Sequence, residues 1–223
     1  FEGTHAIYSF PEKDVIRTDY LPRPEFNLAL TDVVAQLEGI KNRYVNACHS
    51  LDRQLGRVID HLEARGLLDR TIVVITGDHG EEFLEHGRWG HNSAFSREQI
   101  SPPLVLWVPG APSAERQDLS SHLDIAPTVL RALGVTNPSE DFALGDDLLG
   151  PVRRRYNVVC DWYTVVYSNA RERAAFRMAE PGRPEVTRDD VPVADPEPFL
   201  AEHRGDLLEI MTGLRAFSER GAR

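Results

Sequence analysis

Cysteine, basic charge and long apolar runs are all scarce in this chain, and each scarcity removes a class of function. Cys48 and Cys160 are its two cysteines and show no Cys-x-x-Cys or other ligand spacing, so a sulfur-ligated metal site is not in view. Cys48 lies in a helical pattern and Cys160 follows Val158-Val159; both read as small buried hydrophobes, and a disulfide between them does not follow from the sequence. Lysine and arginine number 25 against 35 aspartate and glutamate, for a formal net charge of −10. A general nucleic-acid or anionic-membrane binder needs a basic face, so no nucleic-acid partner is expected. An anionic small substrate stays open, because a metal ion inverts the local field. No apolar run reaches the roughly 18 residues of a spanning helix. No signal-peptide pattern is read, and because the chain opens mid-pattern at Phe1 an excised fragment is expected. Any membrane attachment is then expected through segments outside this chain.

What is present suffices for a core. Hydrophobic residues make up 41% of 223, and one α/β domain is the simplest expectation at that length. After an irregular segment with Pro11, Pro22 and Pro24, Leu37, Ile40, Tyr44, Ala47, Leu51, Leu55, Val58 and Leu62 recur at spacings of three and four. That stripe predicts one long amphipathic helix over about 31–65, capped by Thr31 and ended by Gly66. Strands are predicted at 71–76 and, as a second buried run, at 103–108, where Pro109-Gly110 ends it. A short helix starts at Asp124, with Pro127 in its first turn and Gly134 beyond its end. Residues 152–178 read as two or three antiparallel strands, 180–198 as a Pro-rich charged loop, and about 199–218 as an amphipathic helix. Leu200, Leu207, Leu208, Met211, Leu214 and Phe217 are its docking candidates. Strand–helix alternation followed by a strand cluster fits an α/β sheet with an antiparallel addition. We therefore expect one part over 1–150 and a second over 151–223 packed on the same domain.

The chemistry concentrates in residues 71–92. A β-branched run, Thr71 to Thr76, leads into Gly77-Asp78-His79-Gly80, and His91 follows twelve residues after His79. Read as a buried parallel strand, the run delivers a hard oxygen ligand and an imidazole to a C-terminal sheet edge, where open α/β sheets bind ligands. Neighbours on a regular strand point to opposite faces, so Asp78 and His79 share one metal only where the strand has broken into a loop. Gly77 and Gly80 permit that break. An oxygen and an imidazole suit zinc or manganese, but two protein ligands complete neither a structural nor a catalytic site. His91, in Trp89-Gly90-His91-Asn92, and His5, in Gly3-Thr4-His5-Ala6, are the further candidates. Each suits holding a second metal, gripping an anionic ester oxygen or protonating a leaving group. Glu81 and Glu82 read either as groups that orient a ligand or as solvated charges. His86 reads as a solvated loop residue, and His49, His61, His122 and His203 as structural or solvated.

Asp78-His79-Gly80-Glu81 after a VVIT strand resembles the alkaline-phosphatase/sulfatase superfamily, as do Trp89-Gly90-His91-Asn92, the run Pro103 to Gly110 and Ser121 to Thr128. The nearest look-alikes are membrane-anchored sulfatase-like proteins of Gram-negative inner membranes. The resemblance covers about 1–135 and implies an alkaline-phosphatase-like α/β sheet with flanking helices, represented by its C-terminal portion. It implies Asp78 and His79 as ligands of a divalent ion (zinc, manganese or calcium). His91 and His5 are implied as histidines that contact substrate or a second metal. The implied substrate is an anionic sulfate or phosphate ester, lipid-linked substrates included, and the implied location is the periplasmic face of the inner membrane. The family's nucleophile and first acidic ligand come from an N-terminal half, and no Cys/Ser-x-Pro-x-Arg signature occurs here. Two readings follow: a fragment of a metal-dependent sulfatase-like hydrolase, silent alone, or a non-catalytic periplasmic module that binds lipid or protein. Exposed sheet edges would also invite oligomerisation.

Overall fold

The long stripe folds as predicted into α1 (Leu30–Ala64), and Gly66 follows it at φ +61, the left-handed geometry that ends a helix. The computed structural model describes residues 8–22, 30–91, 94–152, 154–179 and 182–221. They form two compact units, Phe1–Ala111 and Pro112–Arg223.

In the first unit α1 buries Val33, Ile40 and Ala47 with Tyr8 and Phe83, and Leu37 and Tyr44 pack at the margin. Farther along the stripe Val58 is exposed. The helix also has a buried polar face that binds the irregular segment before it. Asn46 accepts from the Ile16 and Arg17 amides at 2.9 and 2.8 Å and donates to the Arg17 carbonyl at 2.9 Å. Asp14 accepts from Ser50 Oγ at 2.8 Å and pairs with Arg53. Side-chain amides and hydroxyls here replace the ladder that an irregular strand cannot make.

β1 (Val73–Thr76) pairs with β4 (Leu104–Trp107), and Val73 lies opposite Trp107. Between them come the two-residue strands β2 (Glu82–Phe83) and β3 (Trp89–Gly90), paired antiparallel, and the single turn α2 (Arg97–Ile100). Two expectations are corrected. The strand before Asp78 is antiparallel to its neighbour, because a parallel partner needs a crossover unit and the connection here turns back through a small hairpin. Neither run is fully buried: β1 is half-buried, and on β4 Val105 and Trp107 are 56% and 45% exposed.

The second unit opens with Ser121 capping a 3-10 turn (His122–Asp124) that runs into α3 (Ile125–Ala132); Gly134 beyond it has φ +90. Asp124 is fully buried. Its carboxylate accepts from the Ser121 amide (2.7 Å), the Asp146 amide (2.8 Å) and the Arg154 guanidinium (2.5 and 3.0 Å). An antiparallel five-stranded meander follows: β5 (Asn157–Cys160), β6 (Thr164–Ser168), β7 (Glu172–Arg177), β8 (Glu185–Arg188) and β9 (Val191–Pro192). β8 and β9 occupy the stretch expected to be loop. Their two-residue turn, Asp189-Asp190, has φ of +49 and +65, the geometry that matches hairpin twist, and Arg188 pairs across it with Val191. Cys160 is exposed rather than buried, because it ends an outer strand.

The tail is two helices, α4 (Glu197–Glu202) and α5 (Arg204–Gly221), broken at His203. His203 sits between Tyr167 Oη (3.0 Å to Nδ1) and Glu172 Oε2 (2.8 Å to Nε2). Phe199, Leu200, Leu207 and Ile210 dock against Tyr167, Ala174 and Val186. Leu208, Met211 and Leu214 are exposed instead, and the Phe217 side chain lies outside the described residues. Removing the Asp124 carboxylate takes the shortest partner from the largely buried Arg154 guanidinium, which keeps only Asn157 Oδ1 at 3.1 Å and Asp146 at 3.6 Å. It also leaves the Ser121 and Asp146 amides without their acceptor. Asp124→Ala is therefore expected to cost about 3 kcal/mol in urea unfolding. Asp124→Asn, which keeps an acceptor, should cost less.

Candidate active site

β1 ends where backbone space runs out. A Cβ at Gly77 would come 3.0 Å from the His79 carbonyl, and one at Gly80 would overlap the Glu98 carbonyl. Neither glycine is at positive φ. Their role is room for close approach: the Gly80 amide donates to the Gln99 carbonyl at 2.9 Å, which presses the loop onto α2. This is the predicted break, and it puts Asp78 and His79 on one side. The His79 amide donates to Asp78 Oδ1 at 3.1 Å, and His79 Nε2 lies 3.6 Å from Asp78 Oδ2. His79 Nδ1 lies 2.8 Å from the Gly80 carbonyl. A carbonyl only accepts, so Nδ1 carries a proton, and Nε2 is the nitrogen turned to the carboxylate.

His91 completes the described cluster. Its ring stacks on His79 with centroids 3.9 Å apart and an interplanar angle of 27°, and its Nδ1 lies 3.3 Å from Glu81 Oε1. The fold thus brings Asp78, His79 and His91 together. His5 lies outside the described residues. Asp78 is 86% exposed at its side chain, open to a ligand. Its carboxylate oxygen and the His79 imidazole fit two positions around a divalent ion. Among the described residues no group of three or more histidine, cysteine, aspartate or glutamate side chains is arranged to hold one.

The support beneath this cluster centres on Glu82, which the sequence left open as an orienting group or a solvated charge. Glu82 is fully buried and accepts four hydrogen bonds: Ser96 Oγ at 2.6 Å, Gln99 Nε2 at 2.9 Å, and the His86 and Arg88 amides at 3.1 Å each. It thereby ties β2 to the turn before β3 and to α2. Burial pushes its carboxyl up, but the donors from Ser96, Gln99, His86 and Arg88 together outweigh burial and hold it below the ordinary range. His86, expected to be a solvated loop residue, lies in an exposed turn, with Nε2 2.9 Å from Glu98 Oε2. The turn that carries it has Leu84 and Gly87 at positive φ, which brings the ring back onto α2.

Comparison with known proteins gives this geometry a context. A family model described as Sulfatase matches residues 1–135. The chain is 33% identical over 119 residues to the inner membrane protein YejM of Salmonella typhimurium, across 52% of this chain and 20% of that protein. It is 30% identical over 128 residues to arylsulfatase K of Xenopus laevis, across 57% of this chain and 24% of that protein. The chain therefore spans about a fifth to a quarter of these relatives' length. A phosphonate monoester hydrolase from Silicibacter pomeroyi superposes with a TM-score of 0.64 at 20% identity, over 83% of this chain and 42% of that one. That likeness shows a shared alkaline-phosphatase-like fold.

Two outcomes follow from the support. A Cβ at residue 80 meets backbone held on both sides, so Gly80→Ala is expected to lower stability by about 3 kcal/mol in urea unfolding. Because the folded-state pKa of Glu82 is depressed, its stabilisation is full above the unfolded carboxyl value of 4.5 and is lost as pH falls through the folded value. A pH series of melting temperatures should fall on acidification, and Glu82→Gln should flatten that fall while lowering stability at neutral pH.

Proposed function

This chain belongs to the sulfatase family, and on that premise we propose that it is the metal-ligand and histidine portion of a metal-dependent hydrolase of sulfate or phosphate esters. The observation that carries the reading is the juxtaposition of Asp78 with His79 (3.6 Å) and of His79 with His91 (3.9 Å between ring centroids). The Asp78 carboxylate and His79 Nε2 would hold the ion. Once bound, a divalent ion polarises an ester oxygen and stabilises the charge that develops there.

The remaining steps belong to the chain's own groups. The Gly80 carbonyl fixes the His79 proton on Nδ1. The half-buried His91 ring offers its edge to an anionic ester oxygen or hands a proton to the leaving group; His5 is assigned a similar part. Nucleophile and first acidic ligand are assigned to sequence outside this chain, so the chain alone should be silent, short by several orders of magnitude. A periplasmic location at the inner membrane is part of the same proposal. The similarity to an inner membrane protein supports it, and no described helix is long and apolar enough to cross a membrane.

The test uses the full-length gene product with manganese or zinc and aryl sulfate and aryl phosphate esters. Turnover of either ester is expected. Asp78→Ala should lower it by more than the roughly 10–100-fold that loss of a ligand's supporting partner costs. His91→Ala should lower it by about 100-fold or more. Full turnover in Asp78→Ala would overturn the reading, and no turnover in the wild type would favour a non-catalytic binding module.

A further inference from the structure

Building on the assignment of His91 as a substrate-facing residue, we propose that Glu81 is a positioning residue that fixes which nitrogen of His91 carries the proton, with Tyr8 as its brace. The topology places the pair face to face. β2 and β3 are antiparallel, with Glu82 opposite Gly90, so Glu81 and His91 are the next positions along, at the open end of the hairpin. There Glu81 Oε1 approaches His91 Nδ1 at 3.3 Å. The Glu81 side chain is 9% exposed and that of His91 24%, so water competes weakly for this contact. A carboxylate only accepts; the proton therefore stays on Nδ1, and Nε2 is the nitrogen with a lone pair.

A second, independent set of features holds the carboxylate in place. The Tyr8 phenol is hydrogen-bonded to Glu81. Tyr8 is 2% exposed, and its ring lies edge-on to Tyr44 at 5.2 Å. Its φ is +49, a left-handed conformation that is unfavourable for a non-glycine residue and persists only where surrounding structure enforces it. On the other side Gly90 has φ +79, and a Cβ there would stand 3.3 Å from Glu81 Oε1. A side chain at 90 would crowd the oxygen that His91 uses. A strained tyrosine and an open glycine thus flank one buried carboxylate whose reach ends on a histidine.

Fixing this tautomer matters for either role of His91. Gripping an anionic oxygen and protonating a leaving group both need a proton on Nε2. With Nδ1–H held by Glu81, the ring takes its second proton at Nε2 and acts as the imidazolium, which the carboxylate behind it stabilises. Without Glu81 the carboxylate no longer selects Nδ1 as the protonated nitrogen, while the stacking on His79 remains.

The experiment reads the tautomer by long-range proton–nitrogen NMR of this 223-residue chain, labelled at histidine, in metal-free alkaline buffer where the ring is neutral. His91 is expected as the Nδ1–H form in the wild type. Glu81→Gln, whose amide oxygen still accepts, should keep it, and Glu81→Ala should shift it to mostly Nε2–H. An Nε2–H wild-type ring, or an unchanged ring in Glu81→Ala, overturns the proposal. If Glu81→Ala fails to fold, the wild-type spectrum and Tyr8→Phe decide. Tyr8→Phe should leave the melt nearly unchanged yet admit a second tautomer, and a wild-type tautomer population there removes Tyr8 from the proposal. In the full-length protein Glu81→Ala should lower kcat by about 10–100-fold with little change in KM, and Glu81→Gln by several-fold. If His91→Ala leaves turnover intact while the tautomer behaves as expected, the functional reading of His91 fails and the positioning by Glu81 stands.

Discussion

A buried carboxylate with four donors organises everything around the candidate site. Glu82 draws Ser96 and Gln99 of the α2 segment and the His86 and Arg88 amides of the tight turn onto one point. With α2 fixed there, its backbone becomes a wall: the Gln99 carbonyl takes the Gly80 amide, and the Glu98 carbonyl leaves space at residue 80 for hydrogen alone. With the turn fixed, β3 returns along β2 and delivers His91 to the face of His79. A buried charge is costly unless fully hydrogen-bonded. Glu82 meets that condition by recruiting both segments that carry the chemistry, so the site's geometry and its stability have a common origin.

Much of this was legible in the sequence where it depends on local pattern. The α1 stripe, the left-handed Gly66, the short helix that begins near Asp124 and the antiparallel strands within 152–178 arise from patterns of a few residues. Their periodicity or turn chemistry is visible directly. So was the Asp78–His79 pair, because a β-branched run ending between glycines leaves few alternatives to a strand that breaks into a loop.

Long-range partners were not legible. The four donors to Glu82 come from residues 86, 88, 96 and 99, and no spacing distinguishes them from solvated polar groups. An apolar run such as Val73–Thr76 gives no direction for its neighbour, so the parallel reading gave way to an antiparallel one. The Asp189-Asp190 turn was hidden because charge and proline dominate its surroundings, and two aspartates at positive φ are a weaker hairpin signal than asparagine–glycine. His203 was hidden for a related reason: its contacts with Tyr167 and Glu172 reach across more than thirty residues.

The central proposal is that Asp78 and His79, with His91 stacked on His79, contribute the ligands of a cation-binding corner. The most direct measurement is a manganese titration of the histidine-labelled chain, read as paramagnetic broadening of each imidazole signal. Selective loss of the His79 and His91 signals at low metal, with His61, His122 and His203 unaffected, and abolition of that selectivity by Asp78→Asn, is the predicted result. Uniform broadening of all histidines, or the same selectivity in Asp78→Asn, would contradict it.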